Sequence, residues 1–172
     1  MNTIKGRVWV LTDETGALIP NIDTDMIFHN RYLHITKLEE MGPYALDNLA
    51  GWEDFAKKCQ PGDIVVAGPN FGCGSSRQQA VDCFRALGVT ALIAQSFGAI
   101  YFRNCVNAGW PVLVCPALDP AVIASGDEIE LDLAGGIWRN TTRGTELPAL
   151  KPISNVQREI MAAGGLFKLA TG

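Results

Sequence analysis

The residues best suited to chemistry sit together in Gly68-Pro69-Asn70-Phe71-Gly72-Cys73-Gly74-Ser75-Ser76-Arg77. Glycines at 72 and 74 permit positive φ and close backbone approach, so successive N–H groups can converge on one point. Two adjacent hydroxyls follow, Ser75 and Ser76, and then the guanidinium of Arg77. Either serine offers a helix N-cap, with Gln78 or Gln79 three residues on to complete a capping box. A helix start would add about half a positive charge to that of Arg77. Such a cluster can hold an anion. It can also serve proton transfer: a serine hydroxyl alone is a very weak base, and converging amides and an arginine are the groups able to stabilise its alkoxide. A capped helix after a tight turn accounts for the glycines and one serine equally well; the second hydroxyl followed at once by arginine favours a site.

The flanking residues predict the elements that hold this stretch. Ile64-Val65-Val66-Ala67 reads as a buried strand, and apolar positions 80, 81, 84 and 87 have helical spacing. Thr90-Ala91-Leu92-Ile93-Ala94 is a second buried strand, so the unit is a parallel βαβ crossover. Ser96 is placed to cap a second helix running to about Ala108, with Phe97, Ile100, Tyr101 and Cys105 on one face, and Pro111 to Cys115 reads as a third strand. Upstream, Lys5 to Leu11 forms a first strand, Thr12 to Pro20 a loop, and residues 37–60 short helices packed over the sheet. Downstream, 127–133 and 136–140 alternate around Ala134-Gly135 as an antiparallel hairpin. A last helix begins at Ser154, with Gln157 completing a capping box, and stops before Gly164-Gly165. The prediction is one α/β domain over residues 1–172, with parallel core strands and an added antiparallel hairpin.

Two further segments carry candidate groups. Asn21-Ile22-Asp23-Thr24-Asp25 interleaves short polar and apolar side chains, which an Asx turn entering a strand also explains. Residues 29–37 hold the only two histidines, His29 and His34, together with Arg31, a residue able to pair bidentately with a carboxylate. Composition narrows the function. A formal charge of −4 argues against nucleic acid as partner. No apolar run reaches membrane-spanning length, and the first residues lack a signal-peptide pattern, so a cytoplasmic protein is expected. Five dispersed cysteines without a Cys-x-x-Cys pair suit a reducing compartment and give no metal-ligand spacing. The glycine-rich loop lacks the Gly-Lys-Ser/Thr ending that cradles nucleotide phosphates. A Cys73 nucleophile with His29 or His34 has no local support.

Asn70 to Arg77 resembles the signature of the small subunit of isopropylmalate isomerase (3-isopropylmalate dehydratase), which is similar to the mobile swivel domain of aconitase. The resemblance continues through Ala94-Gln95-Ser96-Phe97-Gly98-Ala99-Ile100-Tyr101-Phe102-Arg103-Asn104 and back to Asn21–Asp25. It implies a β/β/α swivel fold and a hydro-lyase acting on a malate-type di- or tricarboxylic acid, foremost 3-isopropylmalate in leucine biosynthesis. It implies Ser75 as the base, Ser76 as support or substrate contact, Arg77 as partner of the alkoxide or a substrate carboxylate, and Asp25 at the active-site face. Gly74 would lie in the substrate-binding loop. The family's iron–sulfur cluster, 4Fe-4S, is expected on a separate large subunit, with no metal held by this chain. The segment Tyr32-Leu33-His34-Ile35-Thr36 corresponds to the loop that reads the substrate's variable substituent. Leu33 and Ile35 would offer apolar contact, and His34 and Arg31 polar contact. Departures from the family pattern stand at Gln78, where Glu is usual, and at Ala99, where Arg is usual. Rival readings are the small subunit of a homoaconitase or of a dimethylmalate or citraconate hydratase, and a noncatalytic anion-binding module of the same fold.

Overall fold

A computed structural model describes residues 3–172. Its centre is one seven-stranded sheet, in which four parallel strands are extended by three antiparallel ones. Strands β1 (Thr3–Val10), β2 (Ile64–Ala67), β3 (Ala91–Ala94) and β4 (Val112–Val114) run parallel, with Val10 opposite Val66, Val66 opposite Ile93 and Ile93 opposite Leu113. On its other edge β1 pairs antiparallel with β5 (Glu128–Asp132), which continues into β6 (Ile137–Asn140) and the two-residue β7 (Thr145–Glu146). The predicted parallel core and hairpin are therefore present, and both join the same sheet through β1. β7 was not foreseen, because two residues carry no periodicity.

Side-chain alternation divides the core in two. Val65, Ala67, Leu92, Ala94 and Val112 point to a face covered by helices, where Phe28, Phe55, Phe71, Phe84 and Tyr101 are buried. Val8, Val10, Ile64, Val66, Ile93 and Leu113 point the other way, onto Ile129, Leu131 and Trp138 of the antiparallel strands. β2 and β3 are thus buried on both faces, which is why they read as continuous apolar runs rather than alternating ones.

The helices are α1 (Thr24–Ile27), α2 (Phe55–Lys58), α3 (Gln79–Ala86), α4 (Ala99–Asn107), α5 (Asn155–Ala163) and α6 (Leu166–Thr171), with short 3-10 turns at Asn30–Tyr32, Leu38–Glu40 and Gly42–Tyr44. Several start signals differ from expectation. Asp23 caps a helical turn rather than opening a strand, its side chain accepting from Met26 N at 2.8 Å. Neither Ser75 nor Ser76 caps α3, whose N-cap is Gln78 without a side-chain hydrogen bond. Ser96 does not cap α4 either; its Oγ accepts instead from Asn70 N at 2.7 Å. Ile100 lies on the outer side of α4, while Tyr101 and Cys105 face the core. Ser154 does cap α5, but Gln157 closes only half a capping box, since its side chain donates to Val112 O at 3.1 Å. Past the left-handed Gly164 the chain turns once more into α6, beyond the predicted end.

Candidate active site

Three loops leave the carboxyl ends of β1, β2 and β3 and meet there, the end of a parallel sheet where ligands bind. They are stitched together backbone to backbone. Gly72 N donates to Ile22 O at 2.7 Å, Thr24 N to Cys73 O at 3.0 Å, Phe71 N to Ser96 O at 3.0 Å and Gly98 N to Phe71 O at 2.9 Å. Asn21 and Asn70 both take left-handed φ, 54° and 57°, and Asn70 Nδ2 donates to Asn21 Oδ1 at 2.9 Å. Asparagine tolerates this region better than other side chains bearing a Cβ. At Gly72 (φ 79°) a Cβ would overlap the ring of Tyr101, so glycine is required by space as well as by conformation. At Gly74 (φ 97°) the nearest atoms are 3.7 Å away and only the conformation requires it.

The consequence is an exposed turn from Gly74 to Ser76 leading into α3. The amides of Gly74 through Gln79 donate to no acceptor among the described residues. Ser75 Oγ likewise bonds to none of them, and Ser76 Oγ accepts from Asn104 Nδ2 at 3.1 Å. Although the serines are not caps, the row of unengaged N–H groups expected beside them is present.

Arg77 turns toward Asp25. Its Nη1 donates both to Asp25 Oδ1 at 2.9 Å and to Phe28 O at 3.0 Å. With one nitrogen serving both anchors, Nε and Nη2 remain to present a planar fork. Asn30 N also donates to Asp25 Oδ1 at 3.0 Å, and Asn48 Nδ2 lies 3.1 Å from Asp25 O and 3.4 Å from Oδ2. The Arg77 hydrogen bond holds the Asp25 carboxyl below the usual carboxylate range, against the smaller opposing effect of its partial burial. His29 Nε2 stands 3.8 Å from Asp25 Oδ2, while its Nδ1 accepts from Arg31 N at 3.1 Å. That acceptor role leaves the neutral ring's proton on Nε2, facing the carboxylate.

The expected reading loop borders this centre. Gln79 Nε2 of α3 donates to Leu33 O at 3.4 Å. Leu33 and His34 are exposed and Ile35 is half-buried. His34 Nδ1 lies 3.1 Å from Arg31 O, and since a carbonyl only accepts, Nδ1 carries the proton. Arg31 is exposed, its guanidinium 5.3 Å from the Tyr32 ring centroid. Tyr32 OH donates to Asp47 Oδ2 at 2.6 Å, and this hydrogen bond raises the Tyr32 hydroxyl above its ordinary pKa, keeping it a donor.

Asn48 and the Tyr32–Asp47 and Ser76–Asn104 contacts were not legible from sequence: Tyr32 and Asn104 lie in segments that carry the resemblance, but the partner of each is remote in the chain. Gly72 and Gly74 were the legible signals of left-handed backbone here, whereas the left-handed Asn21 and Asn70 carried none that was read. Cys73 hydrogen-bonds neither His29 nor His34. No three His, Cys, Asp or Glu side chains converge among the described residues, so this donor set does not fit an iron–sulfur cluster. Burial pushes the Cys59 thiol up to about 12 and Cys115 to about 11, and raises Cys83 and Cys105 as well, consistent with small apolar filling. No helix among the described residues is long and apolar enough to cross a membrane.

Comparison with known proteins places this geometry. The aconitase C-terminal domain family matches residues 19–116, more than half of the chain. The chain is 45% identical to the 3-isopropylmalate dehydratase small subunit of Caldicellulosiruptor bescii, over 88% of this chain and 89% of that protein. It is 40% identical to the methanogen homoaconitase small subunit of Methanothermobacter thermautotrophicus, over 95% of this chain and 88% of that one. A crystal structure of 3-isopropylmalate dehydratase from Methanocaldococcus jannaschii superposes with a TM-score of 0.85 at 34% identity, covering 98% of this chain and 93% of that chain.

Proposed function

This chain belongs to the aconitase C-terminal domain family, and we propose that within it the protein is the small subunit of a two-chain hydro-lyase of the 3-isopropylmalate dehydratase kind, a single domain in one piece. The observation that carries the site assignment is the exposed Ser75 on a turn of unengaged amides, beside an arginine already oriented by a carboxylate.

Moving water across a carbon–carbon bond of a malate-type acid requires removal of a proton next to a carboxylate while hydroxide departs. Ser75 Oγ takes the proton as its alkoxide and becomes the neutral hydroxyl. The unengaged amides of Gly74 to Gln79 are the donors that hold the alkoxide charge before that transfer, a contribution that is largest when the donors are fixed in advance. Arg77, held by Asp25 and the Phe28 carbonyl, offers Nε–H and Nη2–H to a substrate carboxylate. Ser76, tied to Asn104, fixes the turn against α4. Leu33 and Ile35 present an apolar edge to an alkyl substituent, with His34 and Arg31 as its polar border. A 4Fe-4S cluster held by the partner large subunit would supply Lewis acidity toward the departing hydroxyl. No arginine lies within residues 32–36, so a fixed cation for an extra carboxylate is missing there and an alkyl-substituted malate is the preferred substrate. A homoaconitase subunit is the second reading, favoured only by the 40% identity to such a protein.

The test is reconstitution with the cognate large subunit. The isolated chain should be inactive, and the pair should turn over 3-isopropylmalate with higher kcat/KM than homoaconitate. Ser75→Ala should lower kcat by roughly 10³-fold with little change in KM, as for a group acting in the transition state. Activity in the isolated chain, a preference for homoaconitate, or a Ser75→Ala enzyme within tenfold of wild type would each contradict the proposal.

A further inference from the structure

One turn far from the glycine-rich loop reaches back to the site through three consecutive residues. Leu46 is fully buried yet adopts φ 62°. Unlike Asn21 and Asn70 it has no side-chain hydrogen bond to offset a left-handed backbone, and such strain persists only where the surroundings over-determine it. Its N–H donates to the carbonyl of Ile27, the last residue of α1, at 2.9 Å. Asp47 Oδ2 then accepts from Tyr32 OH, and Asn48 Nδ2 reaches both the carbonyl and Oδ2 of Asp25. Asp47 Oδ1 is buried with no hydrogen-bond partner. A carboxylate with one orphaned buried oxygen is a poor choice for stability alone, because an unmade hydrogen bond costs more than a made one returns.

We propose that Leu46-Asp47-Asn48 is a buttress with two outputs: Asp47 positions the substrate-reading loop through Tyr32, and Asn48 positions the Asp25 carboxylate that orients Arg77. Tyr32 is the post of that loop. Its ring stacks on Tyr44 with centroids 4.1 Å apart, and its carbonyl accepts from Ile35 N at 2.9 Å, so Leu33, His34 and Ile35 hang from it. Asn48 complements the donors on the other side of Asp25, where Arg77 and Asn30 N share Oδ1. Both are positioning residues, acting through others. The strained turn makes the two outputs one rigid unit. The proposal rests on the reading of Asp25 and residues 32–36 given above.

The expected results in the reconstituted enzyme differ by output. Tyr32→Phe and Asp47→Ala should each raise KM for 3-isopropylmalate about tenfold with kcat changed less than about threefold, and the double variant should be no worse than either, since the pair acts as a unit. Asp47→Asn keeps a carbonyl acceptor for the tyrosine and should restore KM to within about threefold of wild type. Asn48→Ala should do the reverse, lowering kcat about tenfold and leaving KM within about threefold. Amide exchange on the full chain alone gives a readout independent of turnover. In Tyr32→Phe and Asp47→Ala, protection at Leu33 and Ile35 should fall about tenfold while β2 and β3 are unchanged. Parallel losses of KM and kcat in all variants, no rescue by asparagine, or an unchanged or chain-wide exchange pattern would overturn the proposal. If the wild-type pair turns over no malate-type acid, the functional reading fails, and the exchange arm still decides the buttress.

Discussion

Arg77 and Asp25 are separated by 52 positions in sequence and 2.9 Å in space. Their pairing makes Asp25 an orienting group for the Arg77 guanidinium. Removing that charge should free Arg77 from one of its two anchors, and misplacement of a catalytic group by about 1 Å can cost 10²-fold. Asp25→Asn in the reconstituted enzyme is therefore expected to lower kcat/KM about 10²-fold, measured against 3-isopropylmalate. The pH dependence has a definite sign. The folded-state pKa of Asp25 is depressed, so the pair is intact above the unfolded carboxylate range and is lost as pH falls through the lower folded value. Wild-type activity should show no break from this group near neutrality, and a titration of Asp25 above the ordinary carboxylate range would refute the pairing. Ser75 and Arg77 stood out by residue type and order, whereas Asp25 stood out only through the resemblance, and the structure joins Arg77 to Asp25. Asn48 and Asp47 were not, because their meaning lies in contacts with Asp25 and Tyr32 that no local pattern encodes.

At the scale of elements, the glycine-rich turn works by excluding side chains from where backbones must cross. Gly72 lies against Tyr101, which is itself fixed by burial and by its hydroxyl donating to Ala80 O at 2.8 Å. Gly72→Ala would set a Cβ into that ring from a left-handed backbone. Overpacking and conformational strain together predict a loss of about 3 kcal/mol, or roughly 6–12 °C in Tm for a chain of this size. A Tm within about 2 °C of wild type would show that the turn can relax. Strands β2 and β3 and helix α3 were legible from apolar runs and spacing. The starts of α3 and α4 were not: hydroxyls at 75, 76 and 96 look like caps, but here the turn, Asn104 and Asn70 claim those positions. A capping residue and a site residue share the same chemistry, and only tertiary contacts separate them.

At the scale of the molecule, the two ends of the parallel sheet divide their labour. The carboxyl ends carry the exposed turn and its unengaged donors, while the opposite end is closed by Asp63, which immediately precedes β2. Asp63 Oδ2 accepts from Arg7 Nη2 at 2.9 Å, Trp9 Nε1 at 2.8 Å and Gln60 N at 2.8 Å, joining β1 to the start of β2. Its side chain is only 6% exposed. Burial alone would raise its carboxyl, but the hydrogen bonds from Arg7, Gln60 N and Trp9 prevail and hold it below the usual range. A carboxylate with a depressed folded pKa contributes stability that is present above the unfolded value, about 3.9, and lost as pH falls through the folded one. Acid unfolding of the wild type should therefore steepen below about pH 4. Asp63→Ala would remove the acceptor of three part-buried hydrogen bonds, leaving a second partner only to Arg7 Nη2, at Lys58 O, at a cost of about 3 kcal/mol, lowering Tm at neutral pH by roughly 6–12 °C and flattening the acid limb. Because none of these groups reaches the loops at the other end, kcat and KM of the reconstituted Asp63→Ala enzyme, measured well below its Tm, should stay within about twofold of wild type. A large change in kcat without a fall in Tm would mean that the two ends of the sheet are coupled, and that the closing carboxylate belongs to the working part of the molecule.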